Sequence, residues 1–268
     1  MGSVKWNSLR SLCARCLKEA RNRVRRYANH PDPWYPDWSL RYRPLLRDLA
    51  LHGRPPRRIL EIGSNLFGLS MFLREPIISI DLAFAGLTHD AVRRGRPIAG
   101  SVTSLPVRSA TVDQVVCIDT FEHLAPEDRP TATRELLRVL KPGGRAWIAF
   151  PCGQRAELFD KVLWREVKRR GWTVDWLEEH MQHPFPTAPE FREGYRSAIT
   201  SLGYEANLSE SKHASLLYHF AHIRLLLDAK NSGANLYLRA LLKALVPFFS
   251  RVTLGPCYRR VFIVERLH

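Results

Sequence analysis

Between Arg58 and Pro151, short apolar runs of strand length alternate with amphipathic stretches of helical length, and no other feature limits the fold so tightly. Arg58–Ile62 reads as a strand, Leu66–Arg74 as a helix and Ile77–Ile80 as a buried strand. Ala85–Arg94 reads as a helix, Pro97–Ala99 as a short strand and Val112–Ile118 as a further buried strand. Pro126–Leu140 has the pattern of a strong helix, with proline in its first turn and Lys141-Pro142-Gly143-Gly144 closing it. Arg145–Phe150 is the next strand. Strands that alternate with helices are joined by right-handed crossovers, which predicts an α/β fold with a mostly parallel, doubly wound sheet.

The flanks differ. Trp6, Leu9, Leu12, Cys13, Cys16, Leu17, Ala20 and Val24 recur at helical spacing among Arg and Lys, predicting a basic amphipathic helix with Cys13 and Cys16 facing the core. His30 to Pro36 breaks regular structure, a second helix is expected over Asp37–Leu51, and Arg54-Pro55-Pro56 is a stiff linker. Beyond Pro151, helices are expected at Ala156–Arg170, Val174–His180, Pro189–Leu202, His213–Ala229 and Leu236–Phe249, with strands at Tyr204–Leu208 and Tyr258–Leu267. The chain thus divides into a basic helical extension (1–57), an α/β core (58–151) and a helical cap whose final strands complete the sheet (152–268).

Charge follows the same division. Residues 1–58 hold 14 Lys/Arg against 4 Asp/Glu, residues 59–151 hold 10 of each, and residues 152–268 hold 17 against 12. The core is neutral and the flanks are basic, which suits an anionic membrane surface, a phosphorylated substrate or nucleic acid, or else is plain solvated surface. Five cysteines in a chain of this length give no disulfide framework and fit a reducing, cytoplasmic setting. No apolar run reaches bilayer-spanning length. The Arg- and Ser-rich start is also compatible with an organellar transit peptide.

Ile59-Leu60-Glu61-Ile62-Gly63-Ser64-Asn65-Leu66-Phe67-Gly68 joins the first strand to its helix. Glycine there permits a tight turn and close approach of a ligand, and the helix N-terminus behind it offers amides to an anion. Ile77 to Ile80 ends at Asp81, an acid placed to accept hydrogen bonds from both hydroxyls of a ribose. Turn and acid, one βαβ step apart, point to a nucleoside ligand.

Further pieces follow in order: Leu105-Pro106-Val107, Val112-Asp113-Gln114-Val115-Val116, Phe121-Glu122-His123-Leu124, and Glu135-Leu136-Leu137-Arg138-Val139-Leu140-Lys141-Pro142-Gly143-Gly144. With these, Leu60 to Pro151 resembles the class I S-adenosylmethionine-dependent methyltransferases, in the broad group that includes the ubiquinone-biosynthesis enzymes. Ala149-Phe150-Pro151-Cys152-Gly153 with Trp176-Leu177-Glu178-Glu179-His180 is similar to bacterial methyltransferases found among cell-surface glycan genes. The resemblance implies a Rossmann-like core binding S-adenosylmethionine, with its methionine part against Glu61, Gly63, Ser64 and Gly68. It implies the ribose on Asp81 and Leu82, the adenine at Ser101 and Val102, and the methyl group near Asp119, Thr120 and Phe121. Two departures stand out: Asn65 and Phe67 replace the small glycines usual in the turn, and Ser101 replaces an acid that holds the adenine amine.

A methyltransferase needs a base only for an acceptor that is protonated at working pH. His123 and His180 are the catalytic candidates, and His183 is a third. His213, His219 and His222 share one predicted helix, yet no carboxylate joins them, and no metal site is expected. Pro151-Cys152 follows the fifth strand, not the fourth where a cytosine-attacking Pro-Cys nucleophile would lie, so it reads as an apolar cysteine. The expected acceptor is a small molecule or a lipid-linked or glycan group. An RNA methyltransferase and a non-catalytic methyltransferase-like binding protein are the alternatives, with nucleic acid disfavoured by the missing base-reading motif. Leu236–Phe249, apolar with spaced Arg and Lys, resembles a helix lying in a membrane interface or one packed on the core, so attachment at the inner face of an anionic membrane is a second partner expectation.

Overall fold

The computed structural model describes residues 16–27, 36–51, 58–64, 68–73, 75–84, 95–228, 236–251, 253 and 255–267. Seven strands form one sheet: β1 Ile59–Ile62, β2 Ile78–Asp81, β3 Pro97–Ala99, β4 Val112–Ile118, β5 Leu140–Pro151, β6 Ala206–Ser215 and β7 Cys257–Arg266, in the order β3-β2-β1-β4-β5-β7-β6. The five strands from β3 to β5 are parallel, with Leu60 opposite Ile78 and Val115, and Val116 opposite Trp147. β7 runs antiparallel to both β5 and β6, setting Pro151 opposite Arg259. The fold is therefore α/β and Rossmann-like, with a mostly parallel sheet that the C-terminal strands extend.

The helices are α1 (residues 16–27), α2 Pro36–Leu51, α3 Arg129–Arg138, α4 Gly153–Arg169, α5 Asp175–His180, α6 Ala188–Leu202, α7 Leu216–Asp228 and α8 Leu236–Phe249. Alternation along the strands divides the core in two. Val115 and Cys117 of β4 pack with Leu136 and Leu137 of α3 and Phe191 and Tyr195 of α6. Val116 and Ile118 face the other way, toward Tyr42 and Leu45 of α2. A third cluster joins α4, α5 and α7 to Tyr258 at the start of β7.

Several expectations change. The helix expected over Leu66–Arg74 is only a 3-10 turn at Leu69–Met71, with residues 65–67 and 74 outside the described set. The helix expected over Ala85–Arg94 lies outside the described residues. Pro126–Leu140 divides into a 3-10 turn at Pro126–Asp128 and α3, and Leu140 already pairs with Val112. Lys141 to Gly144 then bulge out before Arg145 pairs with Gln114, so the proline and glycines interrupt a strand and do not stop a helix. His213 belongs to β6, not to a helix. Cys16 is exposed, as is Leu17, which overturns the core-facing reading of this helix; Cys13 is outside the described residues. Among the described residues, no helix is long and apolar enough to cross a membrane.

Candidate active site

In an open α/β sheet, ligands bind beyond the carboxyl ends of the strands, where the strand order reverses. Here that place lies between β1 and β4, and three chain segments meet there: Gly63 after β1, Asp81 at the end of β2 and Asp119 after β4. Gly63 has φ +74°, and a Cβ on it would lie 2.3 Å from Thr120 Oγ1, so only glycine lets the two segments pass. An open cavity of about 580 Å³ results, within the usual size range for small-ligand pockets.

Seven of the residues expected at a cofactor line this cavity: Gly63, Asp81, Leu82, Ser101, Val102, Asp119 and Thr120. Val102, with Ile80, gives it an apolar wall. The Oγ of Ser101 accepts from the Thr103 amide at 3.2 Å and shares a 2.8 Å hydrogen bond with the Thr103 hydroxyl, so it closes its own turn. Phe121 is buried, stacked on Phe150, and belongs to the core.

Glu61, Ser64 and Gly68 do not line the cavity. The Glu61 carboxylate turns inward and accepts the Leu69 amide at 2.8 and 3.0 Å and the Tyr42 hydroxyl. Gly68 makes room for it, because a Cβ there would lie 2.1 Å from Glu61 Oε1. One amide of the turn expected to offer donors to a ligand is thus used by the protein itself, and the described residues there form a short 3-10 turn in place of the expected helix. Burial pushes the Glu61 carboxyl up to about 7. A raised carboxyl stabilises the fold fully below its unfolded value of about 4.3 and loses that contribution as pH rises toward 7. Glu61→Gln is therefore expected to remove a decline of order 3 kcal/mol between about pH 4.5 and 7, read from parallel denaturant titrations of variant and wild type. Identical pH slopes for the two proteins would refute this role.

A second cavity of about 300 Å³ adjoins the first and shares Gly63, Asp119 and His123 with it. Asp119 sits in the left-handed region at φ +53°, a strained position for a non-glycine residue. Its carboxylate is gripped by Arg259 through two hydrogen bonds of 2.7 and 2.5 Å and by Arg41 at 3.0 Å. Burial would raise the Asp119 carboxyl, but the two guanidiniums hold it at about 2. Glu122 is fully buried, hydrogen-bonds to no other residue, and is pushed well above its ordinary range by burial and then by Asp119.

His180, at the end of α5, is buried against this cavity. Its Nδ1 lies 2.7 Å from Asp160 Oδ2 on α4, and the same oxygen accepts the Tyr258 hydroxyl at 2.6 Å. This arrangement favours the Nδ1–H tautomer and leaves the Nε2 lone pair toward Glu122, whose Oε1 is 3.9 Å away. His123 has its ring centre 5.0 Å from that of His180, and burial, followed by His180, lowers it to about 4, so it is neutral at pH 7. Glu122, His123 and His180 offer ligand atoms within 4.8 Å of one another, a geometry that could hold a divalent metal and that sequence spacing gave no reason to expect. Burial pushes the Cys152 thiol up to about 11, which disfavours the thiolate a nucleophile needs.

Arg41, Asp160, Tyr258 and Arg259 were not singled out from sequence. They come from α2, α4 and β7, far apart in the chain: the antiparallel pairing of β7 on β5 brings Tyr258 and Arg259 to the site, and helix packing brings Arg41 and Asp160.

The residues present fit S-adenosylmethionine. The first cavity is large enough, has an acid at the β2 end where a ribose would lie, and has an apolar wall for a base. A family model described as a methyltransferase domain matches residues 60–148. No curated protein matches the chain. Among solved structures, the [4+2]-cyclase SpnF is 16% identical, with 78% of this chain and 75% of that chain covered and a TM-score of 0.50. A putative sarcosine dimethylglycine methyltransferase from Galdieria sulphuraria is 15% identical over 84% of both chains, with a TM-score of 0.49. A phosphoethanolamine N-methyltransferase 2 from Haemonchus contortus, in complex with phosphomonomethylethanolamine and S-adenosylhomocysteine, is 13% identical over 84% of this chain and 53% of that one, with a TM-score of 0.49. Residues 60–148, which carry the strands that form this crevice, match a methyltransferase domain, and S-adenosylmethionine is the cofactor that the crevice fits.

Proposed function

We propose that the enzyme methylates a hydroxyl group on a small or lipid-linked acceptor, held in the second cavity and deprotonated by His180. One observation carries this reading: Asp160 holds His180 Nδ1, which leaves Nε2 on the side of Glu122, and His180 and Glu122 both line the cavity with Asp119 and Gly63. Asp81 would hold the ribose, Val102 would pack on the adenine, and Gly63 and Thr120 would border the methionine part. S-adenosylmethionine supplies an electrophilic methyl group. An alcohol is protonated at neutral pH, so taking its proton as the oxygen–carbon bond forms lowers the barrier. His180 Nε2 takes that proton, and Asp160 stabilises the imidazolium, as in other carboxylate–histidine pairs. Arg41 and Arg259 outnumber the Asp119 carboxylate between them, which suits an acceptor that also carries a phosphate or carboxylate.

The Glu122, His123 and His180 group favours a second reading, in which these three residues would hold a divalent metal whose Lewis acidity would make the acceptor hydroxyl easier to deprotonate, without His180 as the base. Incubation with methyl-labelled S-adenosylmethionine and a panel of phenolic, sugar and prenyl-linked alcohols tests both. Label is expected on oxygen, absent with the matching deoxy compounds, and unaffected by a chelator. Activity lost to chelator and restored by metal supports the second reading; label on nitrogen or carbon contradicts both.

A further inference from the structure

A surface helix ordinarily buries one apolar face and presents charge on the other. α8 does not. Leu236, Leu242 and Val246 are buried, and Leu242 and Val246 pack with Leu40 and Tyr218. On the opposite side Tyr237, Leu238, Leu241, Leu245 and Phe248 are exposed, Tyr237 at 61% and Phe248 at 50%. At helical spacing these five side chains share an arc of about 100°. Neither cation of the helix lies within that arc, since Arg239 falls outside it and Lys243 is buried. A helix apolar all round calls for a second apolar medium.

Charge identifies that medium. The buried Lys243 Nζ donates to the Tyr27 carbonyl oxygen at 2.8 Å and lies 4.7 Å from the Tyr27 ring centre, which fixes the end of α1 to α8. Lys18, Arg21, Arg23, Arg25 and Arg26 stand exposed on α1 against the single acid Glu19. An apolar stripe and a cationic helix are therefore anchored to one another. A second copy of the chain would bring two cationic helices together, and nucleic acid would leave the apolar stripe in water. We propose that α8 and α1 dock the enzyme on an anionic lipid bilayer. The exposed face of α8 enters the headgroup–acyl boundary, and the α1 cations pair with lipid phosphates. This inference is independent of the acceptor and of the base.

The test is flotation of the full chain with phosphatidylcholine vesicles, with and without phosphatidylglycerol, at low and high salt. The protein should float with the anionic vesicles, float little with the neutral ones, and fall away as salt rises. Leu241→Glu with Leu245→Glu should abolish flotation. Arg21→Glu with Arg25→Glu should weaken it about 25-fold or more, at about fivefold for each cation lost. All four positions are exposed, and calorimetry with S-adenosylmethionine verifies that both variants remain folded. The proposal is overturned if wild type stays at the bottom with anionic vesicles, or if the α8 variant floats as wild type does. It is also overturned if, without lipid, the same α8 substitutions dissolve a dimer, or if RNA displaces the protein only through the α1 cations while α8 proves dispensable.

Discussion

His180→Ala is expected to lower kcat by about 10²- to 10⁴-fold while leaving affinity for S-adenosylmethionine within a factor of about two, because a general base contributes to proton transfer and not to cofactor binding. The split between kcat and cofactor affinity follows from position, since His180 lines the second cavity but not the first. Asp160→Asn should reproduce much of the loss. An amide at that position can donate to Nδ1, which would move the imidazole proton to Nε2 and remove the lone pair facing the acceptor. Tyr258→Phe removes only the second hydrogen bond to Asp160 and should cost far less. Single-turnover rates with labelled cofactor, beside calorimetric affinities, provide the check. If His180→Ala and Asp160→Asn weaken cofactor binding and rate equally, the pair is a structural support of the crevice and not the base.

The histidine itself was legible in the sequence; its role was not. The Trp-Leu-Glu-Glu-His stretch singled out His180, but its partner Asp160 is 20 positions away on another helix, and Tyr258 is 98 positions from Asp160. Sequence patterns report local periodicity, and α4, α5 and β7 meet only through tertiary packing. The parallel core was legible for the opposite reason. Val112–Ile118 has the same bounds in sequence pattern and structure, because a strand buried among helices leaves a continuous apolar run; Pro97–Ala99 keeps its bounds too, as a short and largely exposed edge strand. The expected helix after Gly63 fails locally. Glu61 captures the Leu69 amide, and the described residues there make one 3-10 turn. Burial of Val139 and Leu140 likewise draws the end of the expected Pro126–Leu140 helix into β5, where pattern alone favoured a longer helix.

Asp81→Ala is the second large effect. A carboxylate that receives two hydroxyl hydrogen bonds gains about 1.5–3 kcal/mol from each, so its loss should weaken S-adenosylmethionine binding about a hundredfold or more. Asp81 also accepts the Leu82 amide at 2.8 Å, but it lies at the sheet's open end and not in the core, so the fold should persist. S-adenosylhomocysteine, the demethylated product, carries the same ribose and should lose affinity in parallel. Isothermal calorimetry of wild type and Asp81→Ala with both nucleosides decides whether this crevice binds S-adenosylmethionine with its ribose on Asp81. Saturable binding by wild type, weakened about a hundredfold in the variant, is the predicted result. Absence of binding by folded wild type, or equal affinity in the variant, would contradict it.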